Sequence, residues 1–220
     1  MDFAQWKERL RKLDAACLCD ADKSIRVMDP GLQPVLKGRK MIGIAHTVHC
    51  QRDFLSVVKA LHDAKESEVL VIDGESEKIA LAGELFASEA KRRGLAGMVI
   101  DGGYRDSRRL PEIAFPVYSR YITPMAGTAE KIFETQIPVD CGGVKVKPGD
   151  ILFGGDDGIV VLDEDELAGV IEAAESIQRR EEQVVNRLSE GTGFFDLLNF
   201  SAHYQKVAGN EESRLEFKLD

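Results

Sequence analysis

The chain has 220 residues, of which 44% are hydrophobic and 30% charged, the proportions of an ordinary globular protein rather than a disordered or fibrous one. Its length suits a single domain over residues 1–220, and no run approaches the roughly 18 apolar residues that a membrane span needs. A formal net charge of −9 argues against a nucleic-acid backbone as the main partner, because such binders carry a basic stripe and Lys91-Arg92-Arg93 and Arg108-Arg109 are only short clusters.

The mixed, charged start Met1-Asp2-Phe3-Ala4-Gln5-Trp6 does not read as a signal peptide, so a cytoplasmic location is expected. Helical spacing of Phe3, Trp6, Leu10 and Leu13 predicts a helix over residues 3–18, where Cys17 and Cys19 fall. Those two, with Cys50 and Cys141, form no CxxC pair and read as reduced, packing thiols. After a turn at Asp29-Pro30-Gly31, residues 41–50 predict a strand on which His46 and His49, three apart, face opposite sides and make a poor chelating pair. Residues 55–64 predict a helix with Leu55, Val58 and Leu61 turned inward.

Residues 68–74 form an apolar strand that ends in Asp73-Gly74. A helix is predicted over 82–93, with Ala82, Phe86 and Ala90 on one side, Leu85 beside them and Gly94 as its stop. Residues 97–103 repeat the strand pattern and end in Asp101-Gly102-Gly103. Strand, helix and strand at this distance make a parallel βαβ unit, and ligands gather beyond the carboxyl ends of such strands. A turn broken by Pro111, a strand over 116–121, a hairpin about Gly142-Gly143, and strands at 151–153 and 159–162 follow. Asp163 caps a long helix to about residue 188, with Leu167, Val170, Ile171, Ala174 and Ile177 as its stripe. The tail beyond Gly191 holds Phe194, Phe195, Leu197, Leu198, Phe200 and Tyr204, which need a cover from the chain itself or a neighbouring subunit.

Two features of the βαβ unit can carry chemistry. A helix start presents unpaired N–H groups and partial positive charge to a carboxylate, and Gly83 lets a ligand approach the backbone closely. Arg105 can grip a carboxylate through two parallel hydrogen bonds, and Asp106 offers oxygen to Mg²⁺ or Mn²⁺. The same residues admit a plain structural account, with Asp106 as a cap for the next helix and Arg105 paired with Asp101 or Asp73. Their common placement at the carboxyl ends of one βαβ unit, with Glu84 as a second carboxylate, matches what a 2-oxo acid needs.

Gly83-Glu84-Leu85, then Arg105-Asp106 with residues 85–104 between the two charged positions, resembles the acidic-x20-Arg-Asp signature of the RraA-like family. Met28-Asp29-Pro30-Gly31, Gly94-Leu95-Ala96-Gly97, Asp101-Gly102-Gly103-Tyr104, Phe115-Pro116-Val117, Gly142-Gly143-Val144 through Gly149-Asp150, and Asp156-Asp157-Gly158-Ile159 look like further landmarks in the family order. The resemblance covers about residues 13–198. It implies a three-layer β/β/α fold of the swivelling-domain kind with a long C-terminal helix, assembled as a homotrimer or as a hexamer of two trimers through residues 163–220. It also implies the chemistry of the class II 4-hydroxy-4-methyl-2-oxoglutarate/4-carboxy-4-hydroxy-2-oxoadipate aldolases: release of pyruvate by a metal-dependent lyase, with oxaloacetate decarboxylation beside it.

By that resemblance the backbone of Gly83, Glu84, Leu85 and Phe86 would bind the pyruvate carboxylate. Arg105 would contact pyruvate, Asp106 would ligate a divalent cation directly, and Glu84 would hold water on that cation. Glu84 stands where many members have Asp. The family's other branch regulates ribonuclease E without catalysis and typically lacks the Asp after the Arg, so Asp106 points to the enzymes. In the aldolases an acidic residue after a Gly in a neighbour's tail completes the site, whereas here Gly191 is followed by Thr192 and preceded by Glu190. No strand–Gly-x-Gly loop supports a methyltransferase, and the candidate Schiff-base lysines Lys145 and Lys147 sit on an alternating hairpin arm and are expected to face solvent.

Overall fold

The computed structural model describes residues 2–219; Met1 and Asp220, the ends of the expected span, lie outside the described residues. Helix α1, Phe3–Leu10, opens with a reciprocal cap between Asp2 and Gln5 and buries Trp6 and Leu10. The expected helix over 3–18 is in fact broken. Asp14 is extended (φ −112°, ψ 157°) and starts a second helix, α2, Ala15–Ala21. The helical spacing survives the break because Leu10, Leu13 and Leu18 all bury.

Short strands β1 (Arg26–Val27) and β2 (Gln33–Pro34) lead to β3 (Met41–His49), α3 (Leu55–Asp63) and β4 (Glu68–Asp73). A three-residue strand β5 (Ala80–Ala82) precedes α4 (Glu84–Arg92) and β6 (Gly97–Tyr104). Then come α5 (Leu110–Ile113), β7 (Val117–Ile122), the hairpin β8 (Val139–Cys141) and β9 (Val144–Val146), strands β10 (Ile151–Gly155) and β11 (Gly158–Leu162), and helices α6 (Leu167–Ser189) and α7 (Phe200–Ala208). Asp163, expected to cap the long helix itself, instead forms a capping box with Glu166 that starts a short 3-10 turn feeding α6.

The main sheet runs β1-β11-β10-β3-β4-β6-β7-β2, with β5 added beside the end of β6. Its centre, β3, β4, β6 and β7, is parallel, as the βαβ reading requires, and the flanks are antiparallel. Side chains alternate between two covers. On one face Ile42, Ile151, Phe153, Val160 and Leu162 pack beneath α1, α2 and α6, while Val48, Leu70, Ile72, Met98 and Ile100 pack beneath α3, α4 and α5. On the other face Met41, Ala45, Val69, Val71, Val99, Leu152 and Val161 meet Val139, Cys141 and Val146 of the β8–β9 hairpin. The layers are therefore hairpin, sheet and helices, the expected β/β/α order.

Two helix stripes differ from the sequence pattern. On α3 the buried side chains are Ser56, Val57, Ala60 and Leu61, and Val58 is exposed. The helix is rotated so that Ser56 can exchange hydrogen bonds with the backbone of Phe133. On α4 the buried residues are Ala87 and Ala90, and Leu85 stands 73% exposed. Ala82 belongs to β5, where it pairs with Tyr104, so the helix starts two residues later than its composition suggests.

Candidate active site

Asp73, the last residue of β4, pairs in register with Asp101, three residues before the end of β6. Asp73 faces His49 Nδ1 at 3.2 Å. Asp101 is buried and accepts from Arg120 Nε at 2.6 Å, Gly142 N at 2.7 Å and Ser76 Oγ at 2.9 Å. Burial alone would push its carboxyl up, but the Arg120 guanidinium and these N–H and O–H donors outweigh burial and hold it below the usual range. Neither aspartate is thus the partner of Arg105.

Beyond Tyr104 the chain turns sharply. Arg105 N donates to Ala82 O at 3.1 Å, which ties the end of β6 to β5. Asp106 then takes a left-handed conformation, φ 58° and ψ 30°, a region that Asp tolerates better than most residues. Its side chain makes no capping hydrogen bond to the turn that follows, so the cap explanation does not hold. The carboxylate faces Arg105 Nε at 3.4 Å, and both side chains are nearly half exposed.

Gly83 brings the helix start to this turn. It is the N-cap of α4, and with no side chain it leaves the first N–H groups of the helix without a side-chain cap. A Cβ at position 83 would stand 2.7 Å from Asp106 Oδ2 and 2.9 Å from Arg105 Cγ, so any other residue there must push these side chains aside. Gly83, Leu85, Phe86, Arg105 and Asp106 together border one small open cleft. Glu84, on the same turn, pairs with Arg109 Nε at 3.6 Å.

The structure adds residues that sequence reasoning missed. Phe54 and Ala126 close the cleft with β5, whose Ala80 bonds to the 125–127 segment. Asp53, fully buried, holds that segment in place by accepting from Thr128 Oγ1, Glu130 N and Lys131 N. The run Ile79-Ala80-Leu81-Ala82 shows only that β5 is apolar and is too short to reveal a strand period, and nothing local marks Ala126. Lys145 and Lys147 are exposed, as expected, and all four cysteines are free thiols. Among the described residues no three His, Cys, Asp or Glu side chains gather as a ready metal cage. No described helix is long and apolar enough to cross a membrane.

Residues 15–161 match the sequence profile of the RraA-like family, described as Aldolase/RraA. The chain belongs to the RraA-like family. A family member from Halalkalibacterium halodurans, provisionally named a 4-hydroxy-4-methyl-2-oxoglutarate aldolase, is 30% identical over 83% of this chain and 88% of its own. An uncharacterized Pseudomonas syringae protein of known structure superposes with a TM-score of 0.80 at 24% identity, covering 88% of this chain and 96% of that one, and so shares the fold. The RNA-processing inhibitor RraA of Thermus thermophilis superposes with a TM-score of 0.64 at 27% identity over 69% of this chain and 93% of its own. Proteins provisionally named aldolases and a protein named as an RNA-processing inhibitor thus stand among the relatives of this RraA-like chain.

Proposed function

We propose that this RraA-like chain is a divalent-metal-dependent lyase that cleaves 4-hydroxy-2-oxo acids to release pyruvate, and that decarboxylates oxaloacetate at the same site. The observation that carries the reading is the approach of Gly83 to Arg105-Asp106, which sets an uncapped helix start, a guanidinium and a carboxylate around one cleft. The N–H groups at the start of α4 bind the carboxylate of the 2-oxo acid. Arg105, with its guanidinium at the cleft, stabilises the negative charge that collects on the keto oxygen as the carbon–carbon bond breaks.

Asp106 fits a hard cation. Its carboxylate is accessible, makes only the loose 3.4 Å contact with Arg105 among the described residues, and is held out by a backbone conformation that no cap explains. Mg²⁺ is commonly held by one or two carboxylates with water filling the rest of its shell, so a single direct ligand suffices, with Glu84 supporting the water. When bound, Mg²⁺ or Mn²⁺ supplies Lewis acidity toward the keto oxygen. We further propose that residues 163–220 join subunits into a homotrimer or hexamer.

Pyruvate release from 4-hydroxy-2-oxo acids and from oxaloacetate, measured with Mg²⁺ or Mn²⁺ and again after chelation, tests the reading. Metal-dependent release is expected. Release that survives the chelator overturns the mechanism, and no release with any substrate, together with no metal binding, makes the chain a binding protein of the inhibitor type.

A further inference from the structure

The charged groups of the cleft are confined to the place where the helix start at Gly83 meets Arg105 and Asp106. Among the described residues no other lysine, arginine or histidine borders it, and the rest of its wall is carbon: Phe54, Leu81, Leu85, Phe86 and Ala126. Two arginines of the flanking segments are already engaged, Arg109 with Glu84 and Glu112, and Arg52 with Glu77 at 2.9 Å. The carbon wall is built into the fold. Phe54 N donates to Thr128 O at 2.8 Å, in the segment that Asp53 anchors, and the Phe54 ring meets Phe86 edge-on, with centroids 5.9 Å apart and planes at 88°. Leu85, in the first turn of α4, leaves most of its side chain outside the core, so packing within the chain does not account for it.

We infer that the cleft selects 4-hydroxy-2-oxo acids whose C4 carries a small uncharged alkyl group and discriminates against those with a second carboxylate there. This rests on the metal-dependent reading above. The first carboxylate takes the helix start and Arg105 faces the keto oxygen, which leaves the C4 substituent to the carbon wall. A methyl or ethyl group gains by covering apolar surface, whereas a carboxylate loses water without gaining a counter-ion. In the cleavage the C3–C4 bond breaks and its electron pair passes into the pyruvate enolate. The C4 hydroxyl gives up its proton to become the carbonyl of a short aliphatic aldehyde, and C3 takes up a proton. Oxaloacetate stays a substrate under this rule because its second carboxylate leaves as neutral CO₂, its charge moving toward Arg105.

Calorimetry on the Mn²⁺-loaded full chain compares 2-oxopentanoate with 2-oxoglutarate, which differ only in carrying a methyl or a carboxylate on C4 and lack the hydroxyl that cleavage needs. Pyruvate release from their 4-hydroxy counterparts is measured beside it. We expect 2-oxopentanoate to bind about 10-fold more tightly, and Leu85→Arg, which sets a guanidinium on the wall, to bring the ratio of affinities to one or below at an unchanged Tm. Ala126→Lys repeats the test from another segment should Leu85→Arg fail to fold. Equal or tighter binding of 2-oxoglutarate by the wild type overturns the inference, since a cation from elsewhere in the assembly then serves the second carboxylate. A ratio that neither folded variant moves overturns it as well. In both cases metal-dependent pyruvate release leaves the function standing. Wild-type protein that binds neither acid and releases no pyruvate removes the function and the inference together.

Discussion

At the scale of single residues, the left-handed turn at Asp106 and the missing side chain at Gly83 make separable predictions. Asparagine tolerates the left-handed region as well as aspartate does, so Asp106→Asn is expected to fold with stability within about 0.5 kcal/mol of wild type. It should nonetheless lose pyruvate-releasing activity by roughly 100-fold or more, since the amide is a poor ligand for a hard cation. Unfolding that matches the loss of activity would instead make Asp106 a structural residue. Gly83→Ala pushes a methyl into Asp106 Oδ2 and Arg105 Cγ, contacts of 2.7 and 2.9 Å with side-chain atoms that can swing away. Its expected cost is about 1 kcal/mol in stability but about 10-fold or more in kcat/KM, because a misplacement near 1 Å is expensive in an active site. Steady-state kinetics beside thermal denaturation separate the two effects.

At the scale of elements, Asp101 joins four pieces of the fold: its own β6, Arg120 of β7, the Gly142 turn of the β8–β9 hairpin and Ser76 ahead of β5. Removing one member of a buried ion pair strands the other, so Asp101→Ala should destabilise by about 3 kcal/mol or more in chemical denaturation. Because the folded carboxyl sits below its unfolded value of about 3.9, its contribution is complete above that pH. It fades as pH falls through the lower, folded value. The wild type should therefore lose stability in acid more steeply than Asp101→Ala does. These elements also show what could be read in advance. Runs such as 68–73 and 97–101, apolar on both faces and followed by glycine after an Asp, mark central parallel strands, although β6 continues to Tyr104, past the Asp101-Gly102-Gly103 expected to end it. The rotation of α3 and the identity of β5 were not legible, because Ser56 is buried through a hydrogen bond to a distant segment and Ala80–Ala82 is too short to show a period. At the site, Gly83 and Arg105-Asp106 were visible as types and spacing. The closeness of their contact and the pairing of Glu84 with Arg109 arise from tertiary packing alone.

At the scale of the whole molecule, the C-terminal arm is the least covered part. Among the described residues α7 buries none of its own, and Phe217, Phe194, Phe195, Phe200 and Tyr204 follow one another at centroid spacings of 5.6–6.3 Å. Phe195 is 68% and Tyr204 64% exposed, so this aromatic row lies open to a partner. Light scattering should give a mass three or six times the 24.3 kDa of one chain. Phe195→Ser with Tyr204→Ser should lower that mass while leaving the secondary structure unchanged. A wild-type mass of one chain would remove the proposed assembly.

The contact between positions 83 and 106 also has a historical consequence. A side chain at 83 must displace the carboxylate at 106 and the stem of Arg105, so the two sites, far apart in sequence, are not free to drift separately. Across related chains, lineages that have replaced the acid at 106 should be those in which 83 is released to alanine or serine, and lineages that retain it should be locked to glycine. Such linked drift would date the loss of the site in a non-catalytic descendant even where the rest of the fold is preserved.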